Sequence, residues 1–282
     1  MPFLSYAQNG EDVPLWRVFK DQPDGFWVDV GASDPDESIT TAFYRRGWAG
    51  LNLEPNPVLY AELAAVRPRD HNLQVAASDQ SGQLTLYIHP APGLGGLSTV
   101  SAVQAEKNRV YGFAADPVTV PAFTLAELFE RYVRRPIDFL KVDVEGHERA
   151  VLAGADWQRW RPRIVVVEAT EPMSPKPSHA GWEPLVLGAG YQFALFDGLN
   201  RFYVRDEDAA ALLPTLGYPP CVFDGYLPAR HAADIERMAR DYADLRRERD
   251  EVWWQLHHMR LRAEAAEGEA AQLKAVRSGT PR

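Results

Sequence analysis

Short apolar runs alternate with polar segments along most of the chain, and several of these runs end in an acidic residue. Residues 26–30 read Phe-Trp-Val-Asp-Val, and Gly31 follows with an acid-rich turn. Similar runs end at Glu54, Asp143 and Glu168. Strand-like runs separated by helical segments indicate a doubly wound, mostly parallel α/β sheet, whose carboxyl strand ends meet at one crevice. We therefore expect the functional site at these strand ends.

The pattern predicts the following elements. Helices are expected over residues 13–19, 38–46, 58–66, 124–133, 148–153 and 178–189. Strands are expected over residues 26–30, 51–54, 73–77, 84–88, 137–143 and 163–168. Residues 191–196 and 201–204 predict an antiparallel hairpin at the sheet edge, and the glycine-rich segment 90–99 predicts a loop. Thr124 and Glu127 have the spacing of a capping box.

The last fifth of the chain has a different periodicity. Two apolar series, starting at Ile235 and Met238, each recur every seven residues as far as Ala270 and Leu273. This heptad pattern predicts a coiled coil or a long docked helix. A helix lying on a membrane is less favoured, because acids and bases are mixed along the segment. The expected domains are residues 1–228, a helical tail over 229–276 and a disordered terminus over 277–282.

Composition narrows the class of protein. The chain has 282 residues, of which 46% are hydrophobic and 24% are charged, as in a protein with a sizeable core. A net charge of -9 argues against a general nucleic-acid binder. Cys221 is the only cysteine, which excludes an intrachain disulfide and a cysteine-based zinc site. The sequence shows neither a signal peptide nor a membrane-spanning run, so we expect a cytoplasmic protein that could also work at the inner membrane face.

The loop after the first strand discriminates between cofactors. It lacks the second and third glycines of the dinucleotide fingerprint, with Ser33 and Asp36 in their places. The acids of this segment are Asp29, Asp34, Asp36 and Glu37. They would repel a diphosphate but tolerate an ammonium and a sulfonium, so S-adenosylmethionine (SAM) fits better than NAD.

Two further features concern the same crevice. Glu54 follows Asp29 by about 25 residues, close to the spacing at which a second-strand acid binds a ribose diol; a capping or surface role is the alternative. The polar segment 5–12 is either a cap and turn before the first helix or a lid over the cofactor.

The segment 137–148 carries the strongest chemical signal. Lys141, Asp143, Glu145 and His147 alternate along it. A continuous strand would place all four on one face at high cost, so we expect the strand to break after Asp143 and the group to line the crevice.

Six motifs, taken together and in order, resemble the FkbM family of SAM-dependent methyltransferases, including members associated with sugars and cell-surface glycans. The resemblance covers about residues 5–226. The motifs lie at residues 8–12, 28–32, 47–55, 137–148, 197–204 and 219–224.

The resemblance implies a Rossmann-like class I methyltransferase fold and methyl transfer from SAM to an oxygen of a sugar or glycan. Its expected cofactor residues are Gln8, Asn9, Glu11, Asp29, Gly31, Ala32, Glu54, Pro55, Ser78, Asp79 and Asp143. The candidate catalytic residues are Asp143, Glu145, His147 and His179, and the candidate sugar contacts are Asn200 and Arg201. Related enzymes hold Mg²⁺ on strand-end acids, here Asp143 and Glu168.

Two alternatives remain at this level. One is an NAD-linked sugar dehydrogenase or epimerase. The other is a catalytically silent methyltransferase-like scaffold whose tail recruits glycosyltransferases. Self-association is the simplest role for the tail.

Overall fold

The structure is a computed structural model that describes residues 2–89, 96, 98–277 and 279. It divides into two compact units, Met1–Ala229 and Arg230–Arg282. Most of the predicted loop over 90–99 lies outside the described residues. No helix in the described part of the chain is both long and apolar enough to cross a membrane.

The first unit contains twelve strands among its described residues. They are β1 (Phe3–Ser5), β2 (Phe26–Val30), β3 (Ala49–Leu53), β4 (His71–Leu73), β5 (Ala76–Ala77), β6 (Gly82–Ile88), β7 (Asp116–Phe123), β8 (Phe139–Val142), β9 (Ile164–Glu168), β10 (Tyr191–Phe196), β11 (Asn200–Arg205) and β12 (Tyr226–Pro228).

The α-helices of the described residues connect and flank these strands. They are α1 (Asp12–Phe19), α2 (Thr41–Tyr44), α3 (Pro57–Val66), α4 (Ala102–Val110), α5 (Leu125–Tyr132), α6 (Glu148–Ala153), α7 (Glu183–Gly188), α8 (Asp206–Leu216) and α9 (Ala229–Arg277).

The main sheet has the strand order β4-β3-β2-β8-β9-β11-β10 within the described residues. The pairs from β4 to β9 are all parallel, whereas β11 is antiparallel to both β9 and β10. The doubly wound sheet and its edge hairpin are therefore confirmed, with β10 as the outermost strand. The chain order reverses at β2, which lies between β3 and β8, and ligands of open α/β sheets bind at such a point.

Both faces of the main sheet are buried because successive side chains of its strands point to opposite sides. On one face, Val28 and Leu140 pack with residues of α5 and α6. On the other, Trp27 and Phe139 pack with Phe19 of α1 and with residues of α2. Hydrophobic burial on two sides holds the strand ends in fixed positions.

Two smaller sheets depart from the predicted elements. The predicted strand over 73–77 is wrong as a single element: β4 belongs to the main sheet and β5 to a three-stranded sheet of order β5-β7-β6. The predicted strand over 84–88 pairs with β7, which the sequence pattern did not indicate. Prolines at 117 and 121 interrupt the strand signal of β7, and its pairing partners lie 28 to 40 residues earlier in the chain. The third sheet is the parallel pair of β1 and β12.

Two predicted helices also differ in the structure. The helix over 38–46 shrinks to α2, because Ser38 Oγ accepts a hydrogen bond from the Thr40 backbone and so competes with a helical turn. Residues 178–189 form a short 3₁₀ turn (His179–Gly181) and then α7. The capping box of Thr124 and Glu127 is confirmed at the start of α5.

Gly31 allows the backbone after β2 to lie directly against the backbone after β8. Its φ is +81°, and a Cβ at this position would lie 1.8 Å from the backbone oxygen of Asp143. The backbone that follows β8 therefore excludes a side chain at this position, which explains why a glycine directly follows β2.

Candidate functional site

A cavity of about 790 Å³ lies at the carboxyl ends of β2, β3 and β8. On the side next to β2 and β3, five predicted residues line it: Gln8, Glu11, Gly31, Glu54 and Pro55. On the side next to β8, Asp143, Glu145 and His147 line it. The strand ends thus bring together eight of the seventeen predicted site residues, at the edge of the sheet that the alternation of runs and acids indicated.

Glu54 is held by backbone donors. Its Oε2 accepts a hydrogen bond from the Ser33 amide at 2.8 Å, and its Oε1 accepts one from the Asn56 amide at 2.8 Å. Burial raises the pKa of Glu54 to about 7. Each carboxylate oxygen can accept a further hydrogen bond, so the group retains capacity for a diol. Neither donor was predicted from the sequence; an Asn directly before the helix-starting Pro57 was the available signal for Asn56.

The N-terminal segment is both a turn and part of the cavity wall. The Asn9 amide donates to Glu11 Oε2 at 2.8 Å, directly before α1, and burial raises the pKa of Glu11 to about 7. Gln8 and Glu11 face the cavity, whereas Asn9 does not line it and its side chain donates to the Asp197 carbonyl at 3.3 Å.

Asp29 lies behind the cavity wall and does not line it. The residue is fully buried, and it accepts hydrogen bonds from Ser38 Oγ at 3.4 Å and Thr40 Oγ1 at 3.5 Å. Burial raises the pKa of Asp29, while Lys141 opposes that change. Ala32 is likewise buried and outside the lining. Asp29 therefore acts on the site through its neighbours.

Arg67 organises the loop between β2 and α2. Its buried guanidinium donates to the hydroxyls of Thr40 and Thr41 and, at 3.1 Å, to the Pro35 carbonyl. These bonds hold the segment that contributes Asp34 and other residues to the cavity wall. No local sequence pattern marked this arginine, because its partners are more than 20 residues away in the chain.

Lys141 is the buried cation of the site. Its Nζ lies 3.3 Å from Asp143 Oδ2 and 3.8 Å from Asp29 Oδ1. Burial alone would lower the pKa of Lys141, but the surrounding acids, Asp143, Asp29 and Glu11, raise it well above its usual value. The side chain therefore stays charged and joins the two halves of the site.

Three carboxyl groups converge at the ends of β8 and β9. Oxygens of Asp143, Glu145 and Glu168 lie within 4.8 Å of one another. Burial and the neighbouring acids raise the pKa of Glu145 to about 8 and that of Glu168 to about 11. Glu145 Oε2 is buried and has no hydrogen-bond partner among the described residues. At neutral pH, Glu145 and Glu168 therefore carry protons.

His147 is the imidazole at the cavity wall. Its Nε2 lies 3.0 Å from Ser78 Oγ, and burial lowers the pKa of His147, so the ring is neutral at pH 7. Ser78 and Asp79 do not line the main cavity. Asp79 lies with His147 at a neighbouring hollow of about 250 Å³.

Backbone strain is concentrated at the cavity. The non-glycine residues of the described chain with positive φ are Ser33 (51°), Glu145 (53°) and Met173 (57°). All three line the cavity. A left-handed conformation at a non-glycine residue costs about 1–3 kcal/mol and persists mainly at functional sites. Nothing in the sequence marked Met173.

Three further predicted residues also lie outside the cavity lining. His179 and Arg201 both face Glu183, with Arg201 donating to Glu183 Oε1 at 2.8 Å. Asn200 begins β11, and its side chain donates to Asp197 Oδ2 at 3.4 Å. Their polar groups are used by local contacts. Asn200 pairs with Glu168 across β11 and β9, but none of the three residues lines the cavity.

A mostly parallel seven-stranded sheet with one reversed strand, carrying an acid-lined cavity at its switch point, defines a protein of the class I methyltransferase fold. Comparison with known proteins then gives the family. A family model described as the methyltransferase FkbM domain matches residues 29–193. The chain belongs to this family and is a SAM-dependent methyltransferase, which sets aside the NAD-linked interpretation.

Two individual proteins show the range of similarity. The chain is 34% identical over 185 residues to methyltransferase sdnD of Sordaria araneosa, covering 54% of this chain and 69% of that protein. It is also similar to the SAM-bound crystal structure of magnesium protoporphyrin IX methyltransferase from Synechocystis PCC 6803. That match has a TM-score of 0.32 and 13% identity over 69% of this chain and 77% of the other. Superposition at this level does not relate individual residues of the two chains.

Proposed function

We propose that this methyltransferase transfers the methyl group of SAM to a hydroxyl oxygen of a sugar or glycan. The observation that carries the proposal is the carboxyl group of Glu145. It faces the cavity, its Oε2 has no hydrogen-bond partner among the described residues, and its pKa is about 8. A sugar hydroxyl is a poor nucleophile at neutral pH, and a base whose pKa lies near the working pH assists it best.

The side of the cavity next to β2 and β3 fits SAM. Glu54, already oriented by two backbone amides, would accept the ribose hydroxyls. Apolar side chains beside it, among them Val58 and Leu86, suit the adenine ring. The acids of the wall, with Glu11 among them, favour a ligand that carries positive charge. When bound, SAM supplies a methyl group made electrophilic by the adjacent sulfonium.

Side chains on the side of the cavity next to β8 would remove and hold the proton of the sugar hydroxyl. In its ionised form Glu145 accepts the proton of the hydroxyl as the oxygen attacks. Glu168 shares the neighbouring proton with Asp143, which limits the negative charge of the cluster. Lys141 holds Asp143 in place through its ion pair. Neutral His147 is the second group able to accept a hydrogen bond from the sugar.

Mg²⁺ is the second candidate occupant of the acid cluster. Three hard oxygen ligands suit such an ion, which would lower the raised pKa values of Glu145 and Glu168 and displace their protons. We favour protons as the ordinary occupants, because Lys141 already supplies a positive charge next to Asp143. Thermal unfolding with and without millimolar Mg²⁺ distinguishes the two. A stabilisation by Mg²⁺ that Glu168→Gln removes would establish the ion instead.

The proposed reaction is tested with tritium-labelled SAM and a panel of sugar nucleotides, lipid-linked sugars and oligosaccharides. We expect label on a sugar, with a gain of one methyl group and an ether linkage that resists base. Label that appears only on nitrogen or carbon acceptors contradicts hydroxyl methylation. Tight binding of SAM with no transfer to any acceptor of the panel argues for the scaffold alternative.

A further inference from the structure

The helix α9 is continuous over 49 residues from Ala229 to Arg277, and its apolar side chains are exposed. The exposed fraction is 54% for Ile235, 63% for Leu245 and 58% for Leu256. A helix this long with bare apolar residues at regular spacing is stable in water only when another surface covers them.

The apolar residues lie along one seam. Its first set, at heptad position a, is Ile235, Tyr242, Arg249, Leu256, Ala263 and Ala270; its second set, at position d, is Met238, Leu245, Val252, Met259, Ala266 and Leu273. Spacing of three and four residues in alternation is the pattern that packs two helices against each other. The seam therefore has the geometry of a coiled-coil partner surface.

We propose that α9 pairs with α9 of a second copy of this chain as a parallel, in-register, two-stranded coiled coil. The charges beside the seam favour a second copy of α9 as the partner and a parallel orientation of the two helices. In such a dimer, each residue before an a position lies near the residue five positions later on the other chain. The opposite-charge pairs formed in this way are Asp241 with Arg246, Arg262 with Glu267, and Glu269 with Lys274.

The same rule produces no like-charge pair along the seam. The remaining combinations are Asp234 with Ala239, Glu248 with Trp253, and Gln255 with Arg260. Because the two chains of a parallel dimer are related by a two-fold axis, every attractive pair occurs twice. The flanks are thus self-complementary, as an interface between identical copies requires.

An antiparallel pairing does not fit these charges. When the seams overlap fully, Arg246 lies near Arg260 of the other chain and Asp241 lies near Glu269, both with like charge. Only Glu248 with Arg262 attracts in that arrangement. Like charges beside a seam act against the wrong orientation.

Arg249 is the polar residue at an a position, and it also supports the register. In a parallel, in-register dimer it faces Arg249 of the second copy, and the neighbouring Glu248 of each copy can neutralise the two guanidinium groups. Within one chain its guanidinium donates to Asp250 Oδ1 at 2.5 Å. A single polar residue in the seam lowers stability but penalises shifted registers, in which it would face an apolar side chain.

Sedimentation equilibrium of the full chain tests the interface. We expect a dimer that Leu256→Glu, in the seam, converts to monomer. Leu261→Glu is the matched control: it places the same charge on an exposed leucine outside the seam and should leave the dimer intact. A monomeric wild-type chain at all concentrations overturns the proposal, and so does equal dissociation by both variants.

Charge reversal tests the parallel direction. Glu267→Lys places like charges opposite Arg262 and should raise the dimer dissociation constant roughly tenfold at low salt. Glu251→Lys makes the same charge change away from the seam and should have little effect. The double variant Arg262→Glu with Glu267→Lys should restore dimerisation. An unchanged dissociation constant for Glu267→Lys overturns the parallel arrangement, because Glu267 lies opposite Ala239 in the antiparallel one.

Disulfide formation tests the register. Met238→Cys should oxidise to a covalent dimer, since Met238 faces its own copy in a parallel, in-register pair. Arg240→Cys, on the outer face of the helix, should not, and the wild-type chain controls for Cys221. Formation of the covalent dimer only when Met238→Cys and Ala270→Cys chains are mixed would show an antiparallel pair and reject the proposal.

Discussion

Glu54 and Glu145 are both acids of one cavity that follow strand ends, yet their surroundings differ. The two oxygens of Glu54 accept backbone hydrogen bonds from Ser33 and Asn56. Glu145 has a buried oxygen without such a donor and lies against other carboxyl groups. The pKa of Glu54 is about 7, whereas that of Glu145 is about 8 and that of Glu168 is about 11.

The difference assigns separate tasks to the two sides of the cavity. Backbone amides favour the ionised form of a carboxyl group and fix its direction, which suits the binding of a ligand. Crowded carboxyl groups without amides hold protons, which suits proton transfer. Lys141 lies between the two sides and is paired with Asp29 and Asp143. The following predictions test this division.

The largest effect is expected for Glu145→Gln. Loss of a general base lowers kcat by about 10²–10⁴-fold, whereas the affinity for SAM should change little. The wild-type kcat should rise with pH and level off above about 8, and the variant should lose this dependence. Steady-state kinetics from pH 6 to 9 measure both. Glu130→Gln, an exposed acid outside the cavity lining, is the control. An unaltered pH profile for Glu145→Gln removes it as the base.

Lys141→Met should cause the next largest change, in stability. It leaves Asp29 buried without its cation, and breaking a buried ion pair costs about 3–5 kcal/mol of unfolding free energy. Urea unfolding measures the loss. Adding Asp29→Asn should recover part of it, because a neutral amide replaces the unpaired charge. Lys107→Met, at a half-exposed surface lysine, is the control. A Lys141→Met protein as stable as the wild type would show that Lys141 does not hold the two sides together.

Glu54→Gln tests the binding side. An amide can replace only one of the two acceptor oxygens, so one backbone donor loses its partner and the diol loses a charged acceptor. We expect the dissociation constant of SAM to rise roughly 10–100-fold, since hydrogen bonds to charged groups contribute about 1.5–3 kcal/mol. Calorimetry measures it, with Glu130→Gln, an exposed acid outside the cavity lining, as control. Equal affinities of Glu54→Gln and wild type would leave the ribose contact without support.

The sequence predicted the residues that line this cavity better than the residues that hold those side chains in place. The ends of β2 and β8 were recognisable because a buried apolar run followed by acids has few other uses in an α/β sheet. Asp143, Glu145 and His147 line the cavity as the alternation of charges predicted. Their surroundings depend on contacts between distant segments, which one-dimensional patterns do not contain.

Arg67 and Asn200 illustrate this limit. Arg67 resembles an exposed residue at a helix end, and only the folded chain shows its guanidinium enclosed by the β2 loop. Asn200 was a predicted sugar contact, but in the structure its side-chain amide donates to Asp197 within the turn. The strand β7 was missed for the same reason, since its strand character comes from pairing with β6. At such positions, contacts between distant segments override the local preference for a secondary structure.

The most gradual effect concerns the pH dependence of stability, through Glu168, because it accumulates over several pH units. Its pKa in the folded protein, about 11, exceeds the value of 4.5 for an unperturbed glutamate. Above pH 4.5, the unfolded chain releases this proton and the folded chain keeps it. The stability that this group contributes is therefore complete below pH 4.5 and is lost as the pH rises toward 11. Linkage sets the slope at up to about 1.4 kcal/mol per pH unit for one proton.

Glu168→Gln removes that proton and should flatten the decline. Wild type and variant should be similar near pH 5, and the variant should become relatively more stable toward pH 9, as followed by urea unfolding. The crowding of carboxyl groups is the physical cause, so Glu62→Gln, outside the cluster, should keep the wild-type slope. If Glu168→Gln declined as steeply as the wild type, Glu168 would be ionised in the folded protein. Its side of the cavity would then need a compensating cation, and the contrast with Glu54 would rest on metal binding instead of proton storage.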